Sequence, residues 1–396
     1  MKKIVVLILA LVLGANLYAQ KFEGLALTPP MGWNSWNYFR DKINEDVIKQ
    51  IADAMVATGL SDAGYEYINL DDCWQIGRDE KGYIVVDSIN FPSGMKALAD
   101  YVHSRGLKFG LYSCAGEMTC MKRPGGRGYE FQDAWTYAQW GVDYLKYDFC
   151  FHGTQDSRAS YKTMRDALYR AGRPIVFSIC EWGSTEPWLW AGEMGHLYRT
   201  TIDIMDCADC RLSTGARGWM NILEEQVPIW TYNGPGHWND PDMLEVGNGG
   251  LSMLENKSHF TMWCMLSAPL ILGNDLRAME TDILKILENE DLIAIDQDPM
   301  GKSAFRYIKD EDIDIWCKQL TGNRWAVAIL NRSEYERPYK CEWNIRAMTR
   351  YFEDWENKGD YKIWNVWDKK KMGTTADDLE GTLSGRDVLL LVLESN

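Results

Sequence analysis

From about residue 30 to residue 275 the chain alternates between two patterns. A short apolar run ends in acidic, aromatic or Cys residues, and a stretch with helical period follows it. Eight such runs can be read, at residues 31–36, 65–74, 108–114, 144–150, 174–180, 198–204, 237–243 and 269–275. Between the first two, residues 45–58 carry the marks of a helix. Asn44 can cap it, Glu45 and Asp46 suit its positive end, Val47, Ile48, Ile51 and Met55 share one face, and Gly59 ends it. Residues 95–104 read the same way, with Pro92 and Ser93 before and Gly106 after. Strands alternating with helices predict a parallel sheet, and eight repeats over some 250 residues predict a (β/α)₈ barrel.

After Lys302 the period changes. Short β-type runs at 313–316, 325–330, 361–367 and 388–393 follow one another without a long helical stretch, and Thr321-Gly322-Asn323 marks a turn. The pattern predicts an antiparallel β-sandwich. The expected organisation is a leader over residues 1–19, a barrel over 20–302 and a β domain over 303–396. The leader reading rests on Lys2 and Lys3 before a short apolar run that is too short to span a bilayer comfortably, with cleavage expected after Ala19. An exported protein, periplasmic or extracellular, follows from it, without membrane insertion.

Composition narrows the function. The 396 residues carry a formal charge of −15, which argues against a nucleic-acid partner because nothing would neutralise phosphates. The count of 18 Trp is high. Aromatic rings beside carboxylates suit a sugar cleft, since the CH-rich faces of sugars stack on rings and carboxylates take hydroxyls. In barrels of this type the reactive groups sit at the C-terminal strand ends. Here those ends carry Asp71, Asp72, Asp148, Glu181, Asp203, Asp240 and Asp242, with Trp36, Trp74, Trp182 and Trp238 beside them. Carboxylate pairs with tryptophans point to glycoside hydrolysis. Metal-assisted hydrolysis and other barrel chemistries stay open on pattern alone. Cys207-x-x-Cys210 has no second C-x-x-C and only scattered His around it, so no metal site and no cofactor are expected.

Seven motifs then occur in order: Thr28-Pro-Pro-Met-Gly-Trp-Asn-Ser-Trp36, Asn69-Leu-Asp-Asp-Cys-Trp74, Lys108-Phe-Gly-Leu-Tyr-Ser-Cys114, Tyr144-Leu-Lys-Tyr-Asp148, Cys180-Glu-Trp-Gly183, Arg199-Thr-Thr-Ile-Asp-Ile204 and Trp238-Asn-Asp-Pro-Asp-Met243. Through them the chain resembles glycoside hydrolase family 27, the α-galactosidase family. The resemblance implies a carbohydrate substrate and a retaining mechanism, with Asp148 as nucleophile and Asp203 as acid/base. Lys146 leaves the same strand face as Asp148, and a nearby ammonium is expected to keep Asp148 ionised. The resemblance also makes Trp36 a wall of the galactose site, and Asp71 and Asp72 the pair that grips the 4- and 6-hydroxyls. Tyr112, Cys120, Lys146, Arg199 and Asp242 become further lining residues, and Cys180, Glu181 and Trp182 the loop that recognises the C2 substituent.

The same resemblance implies a Cys120–Cys150 disulfide and leaves Cys73 a free thiol, since the usual partner is missing from residues 37–44; Cys207 and Cys210 match nothing in the pattern. Glu181 is expected to crowd 2-acetamido sugars. Trp74 and Trp238 read as core. The rival activities are α-N-acetylgalactosaminidase and β-L-arabinopyranosidase, and the non-enzymatic rival is a silent sugar-binding barrel. Nothing in the sequence sets the oligomeric state.

Overall fold

The computed structural model of the chain describes residues 20–343 and 359–395. The expected leader over residues 1–19 lies outside the described residues. Eight parallel strands form the first sheet: β1 Met31–Asn34, β2 Tyr67–Leu70, β3 Lys108–Cys114, β4 Tyr144–Asp148, β5 Val176–Ile179, β6 Leu197–Arg199, β7 Trp238–Asp240 and β8 Leu270–Leu272. Their order around the sheet is β8-β1-β2-β3-β4-β5-β6-β7. A parallel bridge between Leu244, just past β7, and Leu272 closes the barrel. Each strand is shorter than the apolar run that announced it, except β3, because the acidic and aromatic tail of each run bends into the mouth loops.

Helix Glu45–Ala57 forms as its pattern predicts. The Asn44 side chain accepts from Val47 N–H at 2.9 Å, and Ile48, Ile51, Ala52 and Met55 are fully buried. Helix Gly94–Ser104 follows suit, but Ser93 does not cap it. The Ser93 hydroxyl and N–H both donate to the buried Glu45 carboxylate instead, at 2.8 and 2.9 Å, which ties the two helices together. Between β5 and β6 the chain makes only short 3₁₀ turns, Pro187–Leu189 and Ala191–Glu193, where the alternation suggests a full helix.

The N-terminal end of the barrel is sealed. Tyr67, Tyr144, Val176, Leu197 and Trp238, each the first residue of its strand, form an apolar layer on which Leu25 and Ala26 pack. Lys21 donates to the carbonyls of Gly192, Gly195 and Gly236, and Trp238 Nε1 donates to Ala26 O at 2.7 Å.

The second domain contains β9 Phe305–Asp310, β10 Ile313–Leu320, β11 Arg324–Asn331, β12 Arg337–Cys341, β13 Tyr361–Asn365, β14 Lys370–Thr374, β15 Leu379–Leu383 and β16 Val388–Ser395. Six of them form an antiparallel sheet in the order β9-β10-β11-β16-β13-β14, and β12 pairs with β15. The turn 321–323 joins β10 to β11, with both Gly322 and Asn323 at positive φ. Ile315, Val327, Ile329, Leu391 and Leu393 share a core with Cys341 and Leu383 of the β12–β15 ribbon. The alternate residues Trp316, Ala326, Ala328 and Leu390 join the barrel's core. The centre of the large sheet is thus buried on both faces, which is why β11 reads as a near-continuous apolar run. Helix Met253–Leu266 lies between the domains and is buried almost all round. Lys318 of β10 reaches across to the Cys264 and Ile295 carbonyls and the Ser267 hydroxyl, at 2.9, 2.6 and 2.7 Å. Among the described residues, no helix is long and apolar enough to cross a membrane.

Candidate active site

A cleft with about 730 Å³ of empty space opens at the C-terminal end of the barrel. Trp36, Asp71, Asp72, Tyr112, Cys120 and Lys146 line it, with Asp148, Trp182, Arg199, Asp203 and Asp242. Both expected catalytic carboxylates and nine of the other sequence-predicted residues therefore meet in one cavity. Two do not face it. Glu181 is fully buried, and its Oε2 accepts from the Thr185 N–H and hydroxyl, both at 2.9 Å. Cys180 sits behind Arg199, its Sγ 3.7 Å from Nη1. Of that loop only Trp182 reaches the cleft, and it does so at φ 57°. The next residue, Gly183, has no room for a side chain, since a Cβ there would lie 2.2 Å from Thr200 O. The expectation that Glu181 crowds the C2 substituent is thus corrected: the loop folds that carboxyl back on itself.

The floor of the cleft is buried and fully wired. Asp71 Oδ2 accepts from Asn34 Nδ2 at 2.8 Å and from Lys146 Nζ at 2.9 Å. Asp72 accepts from the backbone N–H of Cys73 and Met121, at 2.7 and 3.0 Å, one on each oxygen. Asp148 accepts from the Tyr112 hydroxyl and from Phe149 N–H, both at 2.9 Å. The ion-pair partner of Lys146 is therefore Asp71, not Asp148 as strand-face geometry suggested. Burial pushes the Asp148 carboxyl up to about 6, against the pull of Lys146 and helped by the charge of Asp203. The ammonium moderates the rise but does not cancel it.

Asp203 lies four residues beyond the end of β6, and its side chain is 56 % exposed. Enclosure by the cleft wall raises its carboxyl, but Arg199 and Lys146 more than offset this and hold it below the ordinary aspartate value. Arg199 bridges Asp203 Oδ1 at 3.0 Å and Asp242 Oδ2 at 2.8 Å. Asp242, deeply buried, is driven up by desolvation despite that contact. Asp240 does not line the cleft; its Oδ1 accepts from Asp242 N–H at 2.9 Å.

Cys120 and Cys150 form a disulfide, with Cα atoms 5.2 Å apart, that ties the loop after β3 to the end of β4. Cys120 Sγ lies 3.2 Å from Asp148 Oδ2. Among the described residues the one cluster with metal-ligating side chains is Cys120, Asp148 and Cys150, and its two sulfurs are bonded to each other and offer no thiolate. Cys73 is a buried free thiol. Cys207 and Cys210 form a second disulfide in the loop that follows Asp203. Trp74 and Trp238 are fully buried, with their indole N–H groups on the Tyr112 and Ala26 carbonyls.

Sequence reasoning missed Asn37, Arg40, Ile204, Met205, Thr214, Ala216 and Met243, which complete the lining. They lie in loops or single turns without period. Arg40 carried one readable signal, a cation four residues after Trp36, and its guanidinium sits 5.4 Å from that ring's centroid.

Two family models match the chain, one described as alpha galactosidase A over residues 28–298 and one as the alpha galactosidase C-terminal beta sandwich domain over residues 310–393. The chain is 46 % identical to alpha-galactosidase A of Cellvibrio japonicus (strain Ueda107) over 393 residues, which cover 98 % of this chain and 97 % of that one. The crystal structure of α-galactosidase I from Mortierella vinacea is similar at a TM-score of 0.89 and 35 % identity, covering 94 % of this chain and 98 % of that one. The structure of an α-galactosidase from Saccharomyces cerevisiae with raffinose gives 0.89 at 30 % identity, over 96 % and 100 % of the two chains. The chain belongs to the α-galactosidase family, glycoside hydrolase family 27, and is a glycoside hydrolase.

Proposed function

We propose that the protein is an exo-acting α-galactosidase. It releases terminal α-D-galactose from oligosaccharides, galactomannan-type side chains or glycoconjugates, with retention of anomeric configuration. The observation that carries this reading is the division of the cleft. Its buried floor presents Asp71, Asp72 and Lys146 around Asp148, and its second carboxylate, Asp203, stands at the open rim. A terminal sugar fills the floor, and the leaving group projects past Asp203.

In the first step an Asp148 oxygen bonds to the anomeric carbon as the bond to the leaving oxygen breaks, and Asp203 gives that oxygen its proton. In the second, Asp203 takes a proton from water, whose oxygen replaces Asp148 at the same carbon. Tyr112 and the Phe149 N–H steady the carboxylate that leaves. In the free protein the electrostatics favour the opposite proton placement, since Asp148 is high and Asp203 low. Substrate binding strips water from the exposed Asp203 and shifts its proton affinity upward. In the free protein burial lets Asp148 keep its proton up to about pH 6, while Asp203 gives its own up more readily. Above that the proton is lost, and kcat/KM should fall tenfold per pH unit.

Selection against 2-acetamido sugars falls to Trp182, since Glu181 does not reach the cleft. Two disulfides fit an oxidising compartment, in keeping with export of the chain to the periplasm or the cell exterior. The deciding experiment is hydrolysis of a nitrophenyl α-galactoside followed by NMR. First-formed α-galactose is expected; first-formed β-galactose would overturn the retaining assignment. No turnover beside good turnover of an α-N-acetylgalactosaminide or a β-L-arabinopyranoside would overturn the substrate.

A further inference from the structure

Behind one wall of the cleft lies a buried acid that this chemistry does not use. Glu245, five residues past the end of β7, is 3 % exposed. Its Oε1 accepts from Asn37 Nδ2 at 2.5 Å, its Oε2 contacts the Asn248 amide, and its backbone N–H donates to His259 Nε2 at 3.1 Å. Among the described residues no lysine or arginine pairs with it. The charged groups that bear on it are Asp206 and Asp242, both acids. Burial, reinforced by them, pushes its carboxyl up to about 8. A neutral carboxyl needs an acceptor for its O–H, and the buried Asn248 Oδ1 is without a partner. Turning that amide over exchanges its oxygen and nitrogen and supplies the acceptor. Oε1 then serves Asn37 alone.

Asn37 is held from the other side by the backbone just past β8. Gly273 lacks the Cβ that would sit 3.1 Å from Asn37 Cβ. With its Nδ2 engaged, Asn37 lines the cleft, and its Oδ1 accepts no hydrogen bond from any described residue. Asn37 lies in the helical turn Trp36–Phe39, next to Trp36 and one turn from the exposed Arg40, whose charge bears on Asp203. That places it on the leaving-group side, away from the buried floor.

We infer that Glu245 is a positioning residue: it fixes the Asn37 amide so that Oδ1 faces the rim as an uncharged acceptor for a hydroxyl of a sugar leaving group. The inference rests on the galactosidase reading. It predicts that the contact aids sugar leaving groups and not aryl ones, because a nitrophenolate has no hydroxyl to give.

The readout is the ratio of kcat/KM on a galactosyl-α-1,6-glucose disaccharide to kcat/KM on nitrophenyl α-galactoside. Asn37→Ala and Glu245→Leu should each lower it roughly 3- to 10-fold, the value of one neutral hydrogen bond. Glu245→Gln presents the same acceptor to Asn37 and a donor to Asn248, and should keep the wild-type ratio within about twofold. The double variant should fall no further than Asn37→Ala alone, since both changes remove one interaction. Equal losses on both substrates in Glu245→Leu, an unchanged ratio in Asn37→Ala, or additive losses in the double variant would each overturn the inference. If Glu245→Leu does not fold, Asn37→Ala and Glu245→Gln carry the test. Wild-type protein inactive on both substrates would instead overturn the galactosidase reading.

Discussion

The two ends of the barrel solve opposite problems with the same strands. At the C-terminal end, burial drives carboxyls upward: Asp148 and Asp240 to about 6, Glu181 to about 7 and Glu245 to about 8. Non-glycine residues there, among them Arg40, Cys73, Phe151, Trp182 and Asp242, hold positive φ, against Ala26 at the plugged end, and the conformation costs about 1–3 kcal/mol each. At the N-terminal end the first residues of five strands form an apolar layer, plugged by residues 21–26. Burial pushes Lys21 and His237 down there, and His196 furthest, to about 4. His196 accepts from Phe177 N–H through Nδ1 and bonds Phe22 O through Nε2, so it serves as a neutral ring. One end keeps groups in proton states that chemistry can use, and the other keeps them silent. The difference shows which part of the fold works against its own stability for function.

The hardest blow to the working end is Asp148→Gly. We expect turnover to fall by roughly 10⁴-fold or more, since the covalent path is lost. External azide should restore part of it, giving galactosyl azide of inverted configuration. An Asp148→Gly protein with normal activity would show that the buried floor is not where the reaction occurs. Asp203→Asn should cost less, roughly 10²- to 10⁴-fold, as removal of a general acid does. Its loss should be graded: larger with a sugar leaving group, which needs the proton, than with nitrophenolate, which does not. A loss independent of the leaving group would remove Asp203 from the acid's role.

The next effect concerns the floor alone. A hydroxymethyl group distinguishes galactose from L-arabinopyranose, and the proposed reading gives its hydroxyl to one of the carboxylates of Asp71 and Asp72. Asp71 already takes Asn34 and Lys146 on one oxygen, so Asp71→Ile should also release Lys146 and weaken turnover of both sugars. One of the two single Ile variants should narrow the galactoside-to-arabinopyranoside preference by roughly 10- to 200-fold, the value of about 1–3 kcal/mol for a stranded polar group. If neither ratio moves, the floor does not read the hydroxymethyl group.

The barrel was largely legible because parallel strands buried on both faces read as apolar runs ending where the mouth begins. Helix Glu45–Ala57 was legible through its cap and its stripe. Strands Phe305–Asp310, Arg337–Cys341, Lys370–Thr374 and Leu379–Leu383 were not, because each lies at a sheet edge or in a two-stranded ribbon with polar residues on its open face. In the site, motifs placed Asp148, Asp71 and Lys146 at strand ends that share one cleft but did not give the partner of Lys146, since pairing across strands depends on side-chain reach. Glu181 was misread because a loop's turn, here set by Trp182 and Gly183, has no period to betray it. Glu245 was missed although a carboxylate inside the run Met243-Leu-Glu-Val246 is a readable anomaly.

The smallest expected effect tests the silent end. A buried neutral His binds fewer protons when folded than when unfolded, so it contributes stability that is lost as pH falls below its unfolded value near 6.5. The raised carboxyls of the mouth act with the opposite sign, losing their contribution as pH climbs through about 6 to 8. A pH profile of the wild type alone mixes the two, so the variant must isolate one. His196→Asn keeps an acceptor for Phe177 N–H and gives up the contact with Phe22 O. At pH 7 it should be less stable than wild type, with kcat unchanged because the mouth lies at the other end. Between pH 7 and 5 the wild type loses about 2 kcal/mol that the variant does not. The gap in urea midpoint should therefore shrink or reverse on acidification. A gap that stays constant or widens from pH 7 to 5 would mean that His196 is not held neutral, and that the two ends of the barrel do not differ in the sign of their pH response.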